Sequence, residues 1–191
     1  MHLKISKGNS KLGRIPNISF PPVLSCVDDA PCFSDCYAIK AWRMYPLVRK
    51  SWYGNYSYWM REPLSFQSEM KTWFSKNEIQ AFRWFVAGDI PDENFLEVMR
   101  DIACEFKTVR FLCFTKRHEL NFMGLPDNLQ IILSMWPGWG DVSSPRRRAW
   151  MQDGTETRIP ENVISCLGTC DRCFTCFYLN ELGRDVVMKK H

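Results

Sequence analysis

Four closely spaced cysteines near the end of the chain are the residues best suited to carry chemistry. They form a C-x3-C-x2-C-x2-C run, here called the C-terminal thiol group, at Cys166, Cys170, Cys173 and Cys176. A hydrophobic core gains little from such a dense cluster of redox-active sulfur. A metal site gains from it, because short loops can aim several thiolates at one point. The spacing therefore predicts a metal site.

The choice between iron and zinc depends on how these thiols are distributed. A structural zinc normally takes two Cys pairs from segments roughly a dozen or more residues apart, whereas this group lies within one loop. The spacing is also that of bacterial ferredoxins read in reverse order. The pattern favours an iron–sulfur cluster, with zinc as the alternative and disulfides or free thiols after that.

Three further cysteines form a second candidate site. This N-terminal thiol group consists of Cys26, Cys32 and Cys36. Its loop contains Asp28-Asp29 and Pro31, and lies between a predicted short strand at Val23-Leu24 and a predicted helix. Three thiols at such a junction suit a [4Fe-4S] cluster with one open iron, and the alternative is two zinc ligands and one core thiol. If the two groups converge, their seven thiolates could hold one larger cluster.

Composition predicts a single folded domain in a reducing compartment. The chain has 191 residues, 46% of them hydrophobic, with nine cysteines and a formal net charge of +4. The odd cysteine count and the lack of an N-terminal apolar signal region argue against a secreted disulfide scaffold. No apolar stretch reaches the ~18 residues of a membrane span. We expect a cytoplasmic protein with no membrane partner.

The segments between the thiol groups alternate between strand and helix. Apolar runs at 81–87, 109–114 and 129–135 predict buried strands, a helix follows Asp92, and another is expected from Tyr178 toward Val187. This alternation predicts an α/β fold, either a partial (β/α) barrel or a parallel sheet with crossover helices.

Within that single domain, we expect three regions. They are an N-terminal arm at 1–20, an α/β core at 21–155 and a Cys-rich segment at 156–191, which is expected to bind a cluster.

A short turn segment follows each of these predicted strands. Gly88-Asp89 follows the first, Thr115-Lys116-Arg117 the second, and Trp136 to Trp139 the third. The carboxyl ends of parallel strands meet at one edge, where ligands of such sheets bind. We therefore expect these turns to meet the N-terminal thiol group there, with the C-terminal thiol group closing over the same edge.

Five motifs spread over nearly the whole chain are shared with a known family. They are KLGRIPNISFPP, C-x5-C-x3-CYA, FVAGD, FTKR and the terminal C-x3-C-x2-C-x2-CF. In these motifs the chain resembles the bacteriophage gene-product-eighty-eight family. The resemblance implies a phage or prophage origin, and hence the host cytoplasm, but little biochemistry.

A more distant resemblance is to radical S-adenosylmethionine enzymes. In those enzymes a partial (β/α) barrel carries three cysteines after its first strand, and they bind a [4Fe-4S] cluster whose open iron chelates S-adenosylmethionine. By position, the N-terminal thiol group would ligate that cluster, and Ala87-Gly88-Asp89 stands where the enzymes have Gly-Gly-Glu. The cofactor-binding residues implied are Gly88 and Asp89, joined by Lys116 and Arg117 from the next strand end.

Two function hypotheses result. The first is an iron–sulfur protein that uses one or two clusters for redox or radical chemistry with an unidentified substrate or redox partner. The second is a zinc-stabilised phage protein that binds nucleic acid or a host protein through Arg146-Arg147-Arg148 and the aromatic, basic stretch 42–61. The sequence argues against hydrolytic chemistry, because it contains only three His and no phosphate-binding Gly-rich loop.

Overall fold

A computed structural model describes residues 3–189 and contains one seven-stranded sheet in which every paired strand is parallel. The strands are β1 Asn17–Ile18, β2 Ala81–Trp84, β3 Arg110–Thr115, β4 Leu129–Met135, β5 Arg148–Gln152, β6 Val163–Ser165 and β7 Asp185–Lys189. Their order across the sheet is β1-β2-β3-β4-β5-β7-β6. The predicted α/β class with a parallel sheet is confirmed.

The helices connect the first strands and include two very short elements at the Cys-rich end. They are α1 Tyr37–Met44, α2 Pro46–Arg61, α3 Pro63–Lys76, α4 Glu93–Glu105, α5 Cys170–Cys173 and α6 Leu179–Leu182, with 3₁₀ turns at Phe33–Asp35 and Thr175–Tyr178. Helices α2 and α3 begin with proline, whose missing N–H costs nothing there. Asp92 caps α4 by accepting a hydrogen bond from the Phe95 amide at 2.8 Å. Within residues 3–189, no helix has the length and apolar character to cross a bilayer.

The two faces of the sheet are covered by different parts of the chain. Alternate residues of β2, Phe82 and Trp84, point into an aromatic core that includes Phe66 of α3 and Phe95 of α4. Tyr58 and other residues of α2 complete that core. The long helices therefore pack on one face only.

The opposite face is covered by the N-terminal arm and the Cys-rich segment. Leu12 of the arm and Phe177 and Leu179 of the segment pack against Leu112 of β3 and Ile132 of β4. Both regions also supply strands, since β1 lies in the arm and β6 and β7 lie in the segment. All three expected regions therefore contribute to the same sheet.

Two predicted elements are wrong. Val23-Leu24 forms a turn, because Val23 adopts a left-handed backbone conformation (φ 73°) that a strand does not allow. The helix expected from Tyr178 toward Val187 stops at Leu182, where Gly183 takes the left-handed conformation typical of a helix end (φ 65°). The chain then continues as β7, in keeping with the strand preference of its β-branched Val-Val pair.

Candidate functional site

The N-terminal thiol group lies at the carboxyl edge of the sheet. Its loop follows β1, and Cys36 immediately precedes α1. Asp89, beyond the end of β2, and Lys116, beyond the end of β3, both act electrostatically on the Cys26 thiol. Three strand ends therefore meet around these thiols, as the parallel topology predicts.

A tight contact fixes the start of the thiol loop against the end of β2. The Ser25 hydroxyl donates to the Pro21 carbonyl at 3.1 Å and accepts from the Asp89 amide at 3.1 Å. Gly88 has φ 76°, and a Cβ there would lie 2.5 Å from Ser25 Oγ and 2.8 Å from the Phe20 carbonyl oxygen. Only glycine suits this position, which holds the residue before Cys26 in place.

Asp89 joins the ends of β2 and β3. Its buried carboxylate accepts hydrogen bonds from Thr115 Oγ1 at 2.6 Å, from the Lys116 amide at 2.8 Å and from the Ile90 amide at 2.8 Å. Burial raises its pKa, while these hydrogen bonds lower it. Gly88 and Asp89 thus lie directly beneath the thiol loop as positioning residues, and their predicted contact with a cofactor stays a prediction.

The side chains of Lys116 and Arg117 have different partners. The Lys116 ammonium acts on all three thiols of the group, and its Nζ lies 5.8 Å from the centroid of the Trp136 ring. The Arg117 guanidinium instead pairs with Glu119 at 2.5 Å, and the Arg117 amide donates to Thr115 Oγ1 at 2.9 Å. The structure therefore brings Lys116 to the thiols and directs Arg117 elsewhere.

The three thiols differ in their readiness to ionise. A hydrogen bond between the thiols of Cys32 and Cys36 lowers the pKa of Cys36 to about 6 and raises that of Cys32. Two backbone amides at the start of α1 also favour the Cys36 thiolate. Burial and then the charge of Asp89 raise the pKa of Cys26 to about 11. Cys36 is thus the thiol closest to the ligand form.

The C-terminal thiol group packs on the sheet face opposite the long helices. Cys166 follows β6, and its amide donates to the Val187 carbonyl of β7 at 2.9 Å. The Cys170 amide donates to the Lys11 carbonyl of the arm at 2.9 Å, and Phe174 reverses the chain through a left-handed conformation (φ 51°). All four thiols line one cavity of about 20 Å³.

Among the charged side chains, Arg83 of β2 has the largest effect on the pKa of two of these thiols, Cys170 and Cys176. Burial raises the pKa of Cys176 to about 12 and also raises that of Cys170, and Arg83 opposes both shifts. Its guanidinium lies 4.1 Å from the centroid of the Phe114 ring on the same sheet face. Sequence reasoning missed this residue, although a single charge within the apolar run at 81–87 is a signal that could have found it.

In neither thiol group do the sulfur atoms lie together in the arrangement of a metal-ligand set, among the residues that the structure describes. Among residues 3–189, no three His, Cys, Asp or Glu side chains form a set that could hold a metal ion. Metal sites commonly close around the ion as thiols lose their protons, so each group would contract on loading. The donor chemistry fits a cluster, because each set is all sulfur and has a cation beside it.

Of the arginines at 146–148, which the sequence predicts as a contact surface, two make contacts within the protein. Arg146 donates to the Phe122 carbonyl. Arg148 donates to the Val142 carbonyl at 2.6 Å and lies 3.6 Å from the buried Asp185 carboxylate. The stretch 42–61 likewise contributes Tyr58 and Trp59 to the core, while Arg43, Arg49 and Lys50 are exposed.

His118 occupies the same edge of the sheet in its neutral form. Its Nδ1 accepts a hydrogen bond from the Asp141 amide at 3.1 Å, so Nε2, 3.2 Å from the Ser134 carbonyl, carries the hydrogen. Burial lowers its pKa below the ordinary value of 6.5, and Lys116 acts in the same direction, while the hydrogen bond to the Ser134 carbonyl and the charges of Asp141 and Glu119 oppose the shift.

The free energy of unfolding should therefore decrease as the solution is acidified, and part of that decrease should depend on His118. Below pH 6.5, the unfolded chain binds a proton that the folded ring resists, so this contribution is complete above the unfolded pKa and is lost as the pH falls from there through the lower folded pKa. Urea unfolding between about pH 8 and 5.5 should show a smaller loss in His118→Gln, which keeps a donor and an acceptor. Equal losses in both proteins would contradict this assignment.

Comparison with known proteins identifies the family. A sequence model of the family described as Gene product 88 matches residues 3–176, which include both thiol groups. No curated protein matches the chain, and no solved structure does. Because the match covers most of the sequence, the chain belongs to the bacteriophage gene product 88 family.

Proposed function

We propose that this protein binds iron–sulfur clusters for redox or radical chemistry. The N-terminal thiol group would hold one [4Fe-4S] cluster, and the C-terminal thiol group would hold a second. The observation that carries the proposal is that hydrogen bonds between Ser25 and Asp89 and between Asp89 and Lys116 join the loop of Cys26, Cys32 and Cys36 to the ends of β2 and β3, with the Lys116 charge acting on all three thiols.

A three-cysteine site at this edge suits a cluster that also binds an exogenous ligand. A [4Fe-4S] cluster with three thiolate ligands supplies one-electron transfer and an open coordination position on its fourth iron. Cys36, already stabilised as a thiolate, provides the first ligand, and Lys116 offsets part of the negative charge. Asp89 holds the turn that carries Lys116. Parallel sheets bind ligands at this edge, and S-adenosylmethionine is the candidate that the distant resemblance to radical S-adenosylmethionine enzymes implies.

The C-terminal thiol group suits a cluster with no open position. Four thiolates can satisfy all four irons, which limits such a site to electron transfer or structural support. Its packing against one face of the sheet is consistent with a relay that does not touch substrate.

Metal and sulfide analysis of the full chain, purified without oxygen, tests the proposal. We expect about eight iron and eight acid-labile sulfide per chain, with broad absorbance at about 400 nm that dithionite bleaches. About one or two zinc without sulfide would overturn it and support the zinc-stabilised alternative. Titration of S-adenosylmethionine into the loaded protein then tests the open position.

A further inference from the structure

We propose that Arg83 compensates the negative charge of the C-terminal thiol group and thereby sets the reduction potential of the cluster held there. This inference rests on the proposed function, because it concerns the second of the two clusters. The cation would act through space from β2, outside the loop that carries the thiols.

The register of β2 directs Arg83 to that face. Its neighbours Phe82 and Trp84 belong to the aromatic core on the helix side, so Arg83 points the other way, as strand alternation requires. Its Nε donates to the Trp84 carbonyl at 3.2 Å, and its guanidinium stacks on Phe114 at 4.1 Å. Phe114 in turn packs in the same apolar cluster as Cys170 and its neighbours.

Arg83 also lacks the acidic partner that comparable arginines have. Arg110, on the same face, stacks on an aromatic ring but pairs with Glu181 at 2.5 Å, and Arg158 pairs with Glu156 at 2.7 Å. Within residues 3–189, no carboxylate pairs with Arg83, which is partly buried. A cation in that setting is costly unless an anion lies nearby. A cluster with four thiolate ligands is such an anion.

The direction of the effect follows from charge. Reduction from [4Fe-4S]²⁺ to [4Fe-4S]⁺ adds one electron, supplied by dithionite or an electrode, and makes the site one charge more negative. A neighbouring guanidinium stabilises the reduced form more than the oxidised form. Arg83 therefore raises the potential, and its removal lowers it.

The test uses the full chain with the three cysteines of the N-terminal thiol group replaced by alanine, so that one cluster remains. In that background, Arg83→Gln should lower the equilibrium constant for reduction about tenfold, a shift of about 59 mV for one electron. Arg83→Lys keeps the charge and should stay close to the parent. Arg110→Gln is the matched control, because Glu181 already neutralises that charge on the same face.

Potentials are measured by spectroelectrochemical titration, with iron and sulfide analysed in every sample. A loaded Arg83→Gln protein with the parent's potential would overturn the inference while leaving the proposed function intact. A parent that binds no iron would instead overturn both. If the alanine background does not fold, the same substitution in the intact chain should shift one of two reduction waves and leave the other unchanged.

Discussion

Replacing all three cysteines of the N-terminal thiol group with alanine should remove about half of the bound iron and sulfide, leaving about four of each per chain. The thiols that act on Cys26 and Cys32 belong to their own group, and those that act on Cys170 and Cys176 likewise belong to theirs. Loss of one set should therefore leave the other site loaded. Replacing the C-terminal thiol group should remove the complementary half.

Cys104 provides the matched control for this experiment. It is an exposed cysteine on α4, outside both groups, so Cys104→Ala should keep the full iron and sulfide content. Loss of all iron on removal of either group would contradict two independent clusters and indicate a single cluster that all seven thiolates share. Unchanged iron in both variants would show that neither group binds it.

Asp89→Ala should cause the largest loss of stability among single substitutions at the edge of the sheet, about 3 kcal/mol in the free energy of unfolding. The change leaves the Thr115 hydroxyl and the Lys116 amide without their acceptor in a buried setting. Relief of the buried charge offsets part of that cost, since burial disfavours the ionised carboxylate. Urea unfolding of the metal-free protein measures the effect without interference from cluster loss.

Two other aspartates give a scale for that measurement. Asp92→Ala removes a helix cap and should cost about 1 kcal/mol. Asp127 is exposed, so Asp127→Ala should fall within about 0.5 kcal/mol of the parent. If Asp89→Ala is as mild as Asp127→Ala, then the carboxylate does not hold the two strand ends together.

Local pattern predicts the central part of this fold well. The strand expected at 129–135 has those bounds in the structure, because the run LQIILSM is apolar throughout and ends at Trp-Pro-Gly. The helix after Asp92 follows from its apolar period and its cap. The meeting of Asp89 and Lys116 follows from topology alone, since parallel strands share a carboxyl edge.

Features that depend on contacts between segments far apart in the sequence could not be predicted. The role of Arg83 requires knowing that a segment far along the chain returns to cover that face of β2. The strand β7 requires knowing that Val186 pairs with Ala149 of β5. Arg117 looked equivalent to Lys116, and only the ion pair with Glu119 separates them.

The position of β7 between β5 and β6 imposes an order on assembly during synthesis. β6 has β7 as its sheet neighbour, so Cys166 is placed only after Val187 has left the ribosome. The N-terminal thiol group needs only β1 to β3 and the turn at Lys116, all translated much earlier. A nascent chain can therefore complete the site of the N-terminal thiol group before the Cys-rich segment is synthesised. Until that segment packs on the sheet, Leu112 and Ile132 on that face remain uncovered by it.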